Sequence, residues 1–157
     1  MDKENTINTI GRFVEDELKS LPDYFLVEVK MSPSRDVKVF IDADGNASID
    51  RLAAINRALY KRIEASALFG EGGNFSLEVS SPGLDEPLKL HRQYRKNIHR
   101  RVEVQLNDGT KKEGELQEVS EDVLRLEQAV GSKKEKRTVF IEIPFNQIKF
   151  TKVCVVF

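Results

Sequence analysis

Two prolines and a glycine at mid-chain, in Val79-Ser80-Ser81-Pro82-Gly83-Leu84-Asp85-Glu86-Pro87-Leu88, constrain this chain more than any other feature. Pro presets φ at the second position of a turn and Gly supplies positive φ at the third, so Pro82-Gly83 predicts a type II turn. Pro87 has no N–H to donate and keeps Glu86 out of the α region. Asp85 is placed to cap the backbone N–H groups of the short turn that follows. Such a stretch predicts a joint held at a set angle, where a Gly/Ser linker would let its flanks tumble. The expected division is a domain over 1–81, a rigid linker with a basic segment over 82–98, and a second domain over 99–157.

The first half alternates helix and strand patterns. Ile7, Ile10, Val14, Leu18 and Leu21 recur at helical spacing until Pro22-Asp23 ends the run. Phe25, Val27, Val29 and Met31 alternate with Leu26, Glu28 and Lys30 as a strand. Val37, Val39 and Ile41 return after Ser32-Pro33-Ser34. Ser48 is a good N-cap for a second helix with Ile49, Leu52, Ala53, Ile55, Leu59 and Ile63 on one side. Phe75, Leu77 and Val79 supply a third strand. The order is α-β-β-α-β, and its economical packing is a three-stranded sheet with both helices on one face. Gly70-Glu71-Gly72-Gly73 spells the G-x-x-G that clamps phosphates in KH domains. It leads from helix to strand and offers no Lys, so a helix-stop loop is predicted instead. Asp42-Ala43-Asp44-Gly45-Asn46 lacks the Gly and Glu positions of a calcium loop and reads as a strand-to-helix turn.

From Arg100 the pattern changes to short strands at regular spacing, which predicts a small barrel. Val102, Val104 and Leu106 lead into an Asn107-Asp108-Gly109 turn, and Gly114 and Leu116 follow, the glycine permitting a sharp bend. Val123, Leu124 and Leu126 mark a third strand. Val139, Ile141 and Ile143 return after a charged hairpin tip, and Pro144 through Ile148 make a tight turn before the last strand.

Charge divides with the pattern. Residues 1–80 hold 10 Lys/Arg against 14 Asp/Glu, and residues 81–157 hold 15 against 12. A simple nucleic-acid coat would be basic throughout, whereas a mixed surface of RNA and basic protein suits an acidic half joined to a basic one. Lys89, Arg92, Arg95, Lys96, Arg100 and Arg101 carry no acidic residue among them, and His91 and Tyr94 interleave planar groups suited to stacking on exposed bases. Lys133, Lys134, Lys136 and Arg137 form a second cluster at the hairpin tip. The bland reading of each cluster is a solvated face. Val155, Val156 and Phe157 close the chain, either as the end of a core strand or as an apolar tip to which another protein adds a strand.

No apolar run approaches the ~20 residues that span a bilayer, and Cys154 is the only cysteine. Neither Gly-x-Ser-x-Gly, a Walker loop nor a dinucleotide fingerprint occurs. The two histidines lie far in sequence from Cys154. The expectation is a non-catalytic cytoplasmic protein with no cofactor and no metal.

Leu77-Glu78-Val79-Ser80-Ser81-Pro82-Gly83-Leu84-Asp85, followed by Pro87-Leu88, closely resembles the signature of the ribosome maturation factor RimP family. The chain departs from it at Glu86, where the family usually carries Arg. The resemblance implies an α/β amino-terminal domain, a small carboxy-terminal β-barrel and a role in assembling the bacterial small (30S) ribosomal subunit. It further implies a monomer whose partners are rRNA and a small-subunit ribosomal protein, with no membrane involved. The run from Val102 to Leu126 is also similar to Sm-like proteins, which share an SH3-like barrel. The residues of their uridine pocket are not matched by Ser120-Glu121-Asp122 or Asn146-Gln147-Ile148. An Sm-like RNA-binding module with an unrelated first domain is therefore the alternative, and it predicts a ring-shaped oligomer.

Overall fold

The computed structural model describes residues 2–83, 86–132 and 134–154. The chain forms two compact units, Met1–Pro82 and Gly83–Phe157.

In the first unit, helix α1 (Lys3–Glu17) starts at Asp2, whose carboxylate accepts the Glu4 N–H at 3.0 Å. Strands β1 (Tyr24–Met31) and β2 (Asp36–Ala43) pair antiparallel. Helix α2 (Ile49–Ala65) is capped by Ser48 and crosses to β3 (Ser76–Ser80), which lies parallel to β2. The sheet order is β1-β2-β3. Ile10 and Val14 of α1 and Leu52, Ile55, Leu59 and Ile63 of α2 pack with Val37, Val39 and Ile41 in one core. Both helices therefore cover the same face, because these three β2 side chains alternate onto that side. α1 stops at Glu17, a turn earlier than the apolar stripe suggested, and Leu18 follows as its C-cap.

The period-two reading of β1 needs a correction. The register with β2 shifts between Leu26 and Glu28, so Leu26 opposes Ile41 while Val29 and Met31 oppose Val39 and Val37. Val27 is the extra residue of a bulge. Leu26, Val29 and Met31 join the helix-facing core, and Phe25 falls on the other side of the sheet from them. A single inserted residue exchanges the faces of everything before it.

The second unit is a five-stranded antiparallel sheet of order β7-β6-β5-β4-β8 with one short helix, α3 (His91–Lys96). Its strands are β4 (Arg101–Leu106), β5 (Lys111–Val119), β6 (Val123–Val130), β7 (Arg137–Pro144) and β8 (Ile148–Val153). A 3-10 turn, Phe145–Gln147, joins the last two. No pairing joins β7 to β8 among the described residues, so the sheet is not closed into a barrel. Val102, Val104, Leu116, Leu124, Leu126, Ile143 and Tyr94 form its core. Gly114 is required by a neighbour more than by a bend: a Cβ there would stand 2.7 Å from the Glu127 carbonyl oxygen of β6. No helix among the described residues is long and apolar enough to cross a membrane.

Candidate functional site

At the mid-chain joint, Gly83 does not adopt the left-handed backbone that a type II turn over Pro82-Gly83 requires. The Glu86 N–H donates to the Gly83 carbonyl at 3.0 Å. Leu84 and Asp85 lie outside the described residues. Beyond the joint, the Leu88 N–H donates to the Thr151 carbonyl at 2.8 Å, so Pro87-Leu88 is laid against β8. Ser80 ends β3 opposite Phe40, and Ser81 and Pro82 follow in irregular chain.

Buried polar groups brace the basic segment internally, and one of them, Tyr94, ties it to the sheet of the second unit. Gln93, at the third position of α3, turns its Oε1 back to accept the N–H groups of Lys89 at 2.7 Å and Leu90 at 2.9 Å. A leucine at the N-cap offers no side-chain acceptor, and Gln93 satisfies those donors from inside the helix. Asn97 donates its amide to the Gln93 carbonyl at 2.7 Å and accepts from the Arg100 guanidinium at 3.2 Å. The Tyr94 hydroxyl donates to Thr151 Oγ1 of β8 at 2.8 Å. Gln93, Tyr94, Asn97 and Thr151 are all buried.

Tyr94 is therefore no stacking platform. It is 5% exposed, meets the Phe145 ring edge-on at 5.1 Å, and belongs to the core. Burial pushes its phenol above the ordinary range, against the lowering effect of the bond to Thr151. His91 is also engaged: its Nε2 lies 3.0 Å from the Glu121 carbonyl, and its ring packs 4.4 Å from Phe145. Sequence patterning missed Gln93, Asn97 and Thr151, whose only signal was a Gln three residues into a helix and an Asn at its end.

With Gln93, Tyr94 and Asn97 facing inward, helical spacing sets Arg92, Arg95 and Lys96 together on the outer side of α3. Arg95 and Arg100 are exposed. Arg101 is not equivalent to them. It leads β4, its Nε donates to Glu113 Oε1 at 2.7 Å, and that bond raises its pKa. Lys134, Lys136 and Arg137 are exposed at the β6–β7 hairpin, and Lys133 lies outside the described residues. Val155, Val156 and Phe157 also lie outside them. Beside α3 a cleft of about 420 Å³ is lined by Pro87, Leu88, Lys89, His91, Lys149 and Phe150, among others.

The outer face of the sheet has the opposite sign. Cross-strand partners carry Glu103, Glu113, Glu115, Glu118, Glu127 and Glu142 against Arg101, Lys111, Arg125 and Lys152. The α3 segment differs from that face: Lys89, Arg92, Arg95, Lys96 and Arg100 have no acidic residue among them.

Residues 14–85 match a family model described as the RimP N-terminal domain. The chain is 35% identical over 151 residues to the ribosome maturation factor RimP of Cytophaga hutchinsonii, covering 92% of this chain and 90% of that protein. It is 28% identical over 139 residues to the protein of the same name from Christiangramia forsetii, covering 85% and 87%.

Proposed function

The chain belongs to the ribosome maturation factor RimP family and acts in ribosome maturation, and we propose that it does so without catalysis, by binding the immature small subunit in the cytoplasm. Whole-chain likeness to named maturation factors carries the reading. In it, a monomer presents the outer side of α3, with Arg92, Arg95, Lys96 and Arg100, to rRNA phosphates. Lys133, Lys134, Lys136 and Arg137 add a second phosphate contact. The second unit serves as a small module of the Sm-like kind. Val155 through Phe157 are its proposed contact with a small-subunit ribosomal protein.

The support from geometry is anchorage. Gln93 and Asn97 brace the segment internally and Tyr94 ties it to β8, so the backbone that carries its cations is set before RNA arrives, which lowers the ordering entropy lost on binding. The joint at 82–88 would bring both units onto one assembling particle and favour a single conformer of it.

Cosedimentation with small subunits across a salt series tests this. Each phosphate contact with unpaired RNA contributes about −0.7 to the slope of log K against log salt. Arg95→Ala with Lys96→Ala is expected to weaken binding and flatten the slope by roughly 1.4, twice that increment. An unchanged slope removes α3 from the RNA contact. A Gly/Ser insertion after Ser81 is expected to lower affinity while leaving both units folded.

A further inference from the structure

Four planar groups are piled at the end of the first unit's core. The Arg35 guanidinium lies 5.6 Å over the Phe69 ring, Phe69 stacks on Phe75 at 5.2 Å, and Phe75 stacks on Tyr60 at 4.7 Å, with ring planes within 28°. The inner end is shut: Phe69 is buried, and the Arg35 Nη1 also donates to the Phe69 carbonyl at 3.3 Å. The outer end is open, because Tyr60 is 39% exposed.

Two hollows meet at Tyr60, and they differ in chemistry. One, of about 380 Å³, is lined by Glu64 and the glycine loop Gly70-Gly72-Gly73 with Asn74. The other, also about 380 Å³, is lined by Ala53, Asn56, Arg57, Tyr60 and Lys61, with no acidic group. On α2, Arg57 and Lys61 stand one turn apart and bracket Tyr60 in sequence, and Asn56 lies one turn before it. A core needs only the inner rings of such a pile. An exposed ring held flat by two more behind it, with two cations beside it in an otherwise acidic unit, is what a stacked base with flanking phosphates requires.

We propose that this hollow of α2 is an unpaired-RNA site, in which one base stacks on Tyr60, Arg57 and Lys61 meet the adjoining phosphates, and the Asn56 amide faces the base edge. Stacking on a ring reads no particular base, so the site tolerates sequence and selects for unpaired strand. The proposal rests on the ribosomal reading for its RNA but concerns the unit that the charge count makes least suited to RNA. It also sets aside the neighbouring G-x-x-G loop, since Glu64 shares the hollow on that side.

The test uses the full-length protein and a fluorescein-labelled unpaired RNA decamer, followed by anisotropy in low salt. Tyr60→Ala is expected to weaken binding about tenfold, within the range for loss of one base stack. Tyr60→Phe keeps the ring and is expected to bind as the parent does. Because Tyr60→Ala also exposes Phe75, the exposed pair Arg57→Ala with Lys61→Ala provides a variant that leaves the core intact. That pair is expected to flatten the salt slope by roughly 1.4. Ultraviolet cross-linking on assembling small subunits should place an RNA adduct on the α2 peptide that holds Tyr60. Parent-like affinity in both Tyr60→Ala and the charge pair overturns the site, as does a cross-link from this peptide to protein alone. If those variants still sediment with small subunits while Arg95→Ala with Lys96→Ala does not, this inference fails and the function proposed above stands.

Discussion

Helices α2 and α3 are fixed by opposite means. α2 runs seventeen residues and buries four aliphatic side chains against β2, each contributing roughly 1.5–3 kcal/mol by removal from water. α3 runs six residues, too short for an apolar stripe; Gln93 and Asn97 brace it with hydrogen bonds inside its own segment, and Tyr94 docks it by a hydrogen bond to Thr151 and a ring packed in the core. Apolar burial is forgiving of small shifts, whereas a buried hydrogen bond is not. The segment that carries the cations proposed for RNA is thus placed more sharply than its length suggests, and it depends on a handful of polar atoms.

The largest expected effect tests the apolar side of that contrast. Leu59 is fully buried between α2 and the first sheet, and Leu59→Ala is expected to cost about 3 kcal/mol from lost transfer energy and the cavity left behind. Hydrogen exchange during urea unfolding should show the loss in residues 1–82 and leave protection in α3 unchanged. Equal loss of protection in both units would mean that they unfold as one body, and the contrast between their helices would lose its meaning.

Next in size is the polar side. Tyr94→Phe removes one hydrogen bond and strands the buried Thr151 hydroxyl, a cost of about 1–2 kcal/mol. Faster exchange is expected at 89–97 first, because that segment carries the lost hydrogen bond. pH gives a second readout. Burial raises the Tyr94 phenol pKa in the folded state, so the folded form holds its proton more tightly than the unfolded chain does. The associated stability is complete below the unfolded value of ~10 and falls as pH climbs from there toward the folded value. Tyr94→Phe should erase that alkaline decline. A decline that persists in the variant assigns it to other groups.

These differences explain what was legible in the residues. The α-β-β-α-β order, both helical stripes and the five strands of the second unit show in periodicity, since burial of one face imposes a repeat. The β1 bulge does not, because Val27 reads as one more apolar residue and its displacement is decided by pairing with β2. Tyr94 misled for a related reason. An aromatic residue among cations looks like a stacking group, and only the position of Thr151, fifty-seven residues on, shows that its hydroxyl faces inward. Gly114 was visible as a special position, but its cause, the nearby Glu127 carbonyl, lies in another strand. At the candidate site, the cations of α3 were legible as composition. Their separation from Arg101 was not.

Arg101 gives the smallest expected effect and the sharpest test of that separation. Its ion pair with Glu113 is short, but both side chains are half exposed. Solvent screening and the entropy of holding two long chains together leave such pairs worth only a few tenths of a kcal/mol. Arg101→Ala should therefore barely move the unfolding midpoint. Its influence on RNA binding should be smaller than that of Arg95→Ala, because Arg101 would have to leave Glu113 to reach a phosphate and would do so on a face crowded by Glu103 and Glu115. If Arg101→Ala instead flattens the salt slope as much as Arg95→Ala does, the acidic sheet face takes part in RNA binding, and α3 is no longer the surface that sets the unit's sign toward RNA.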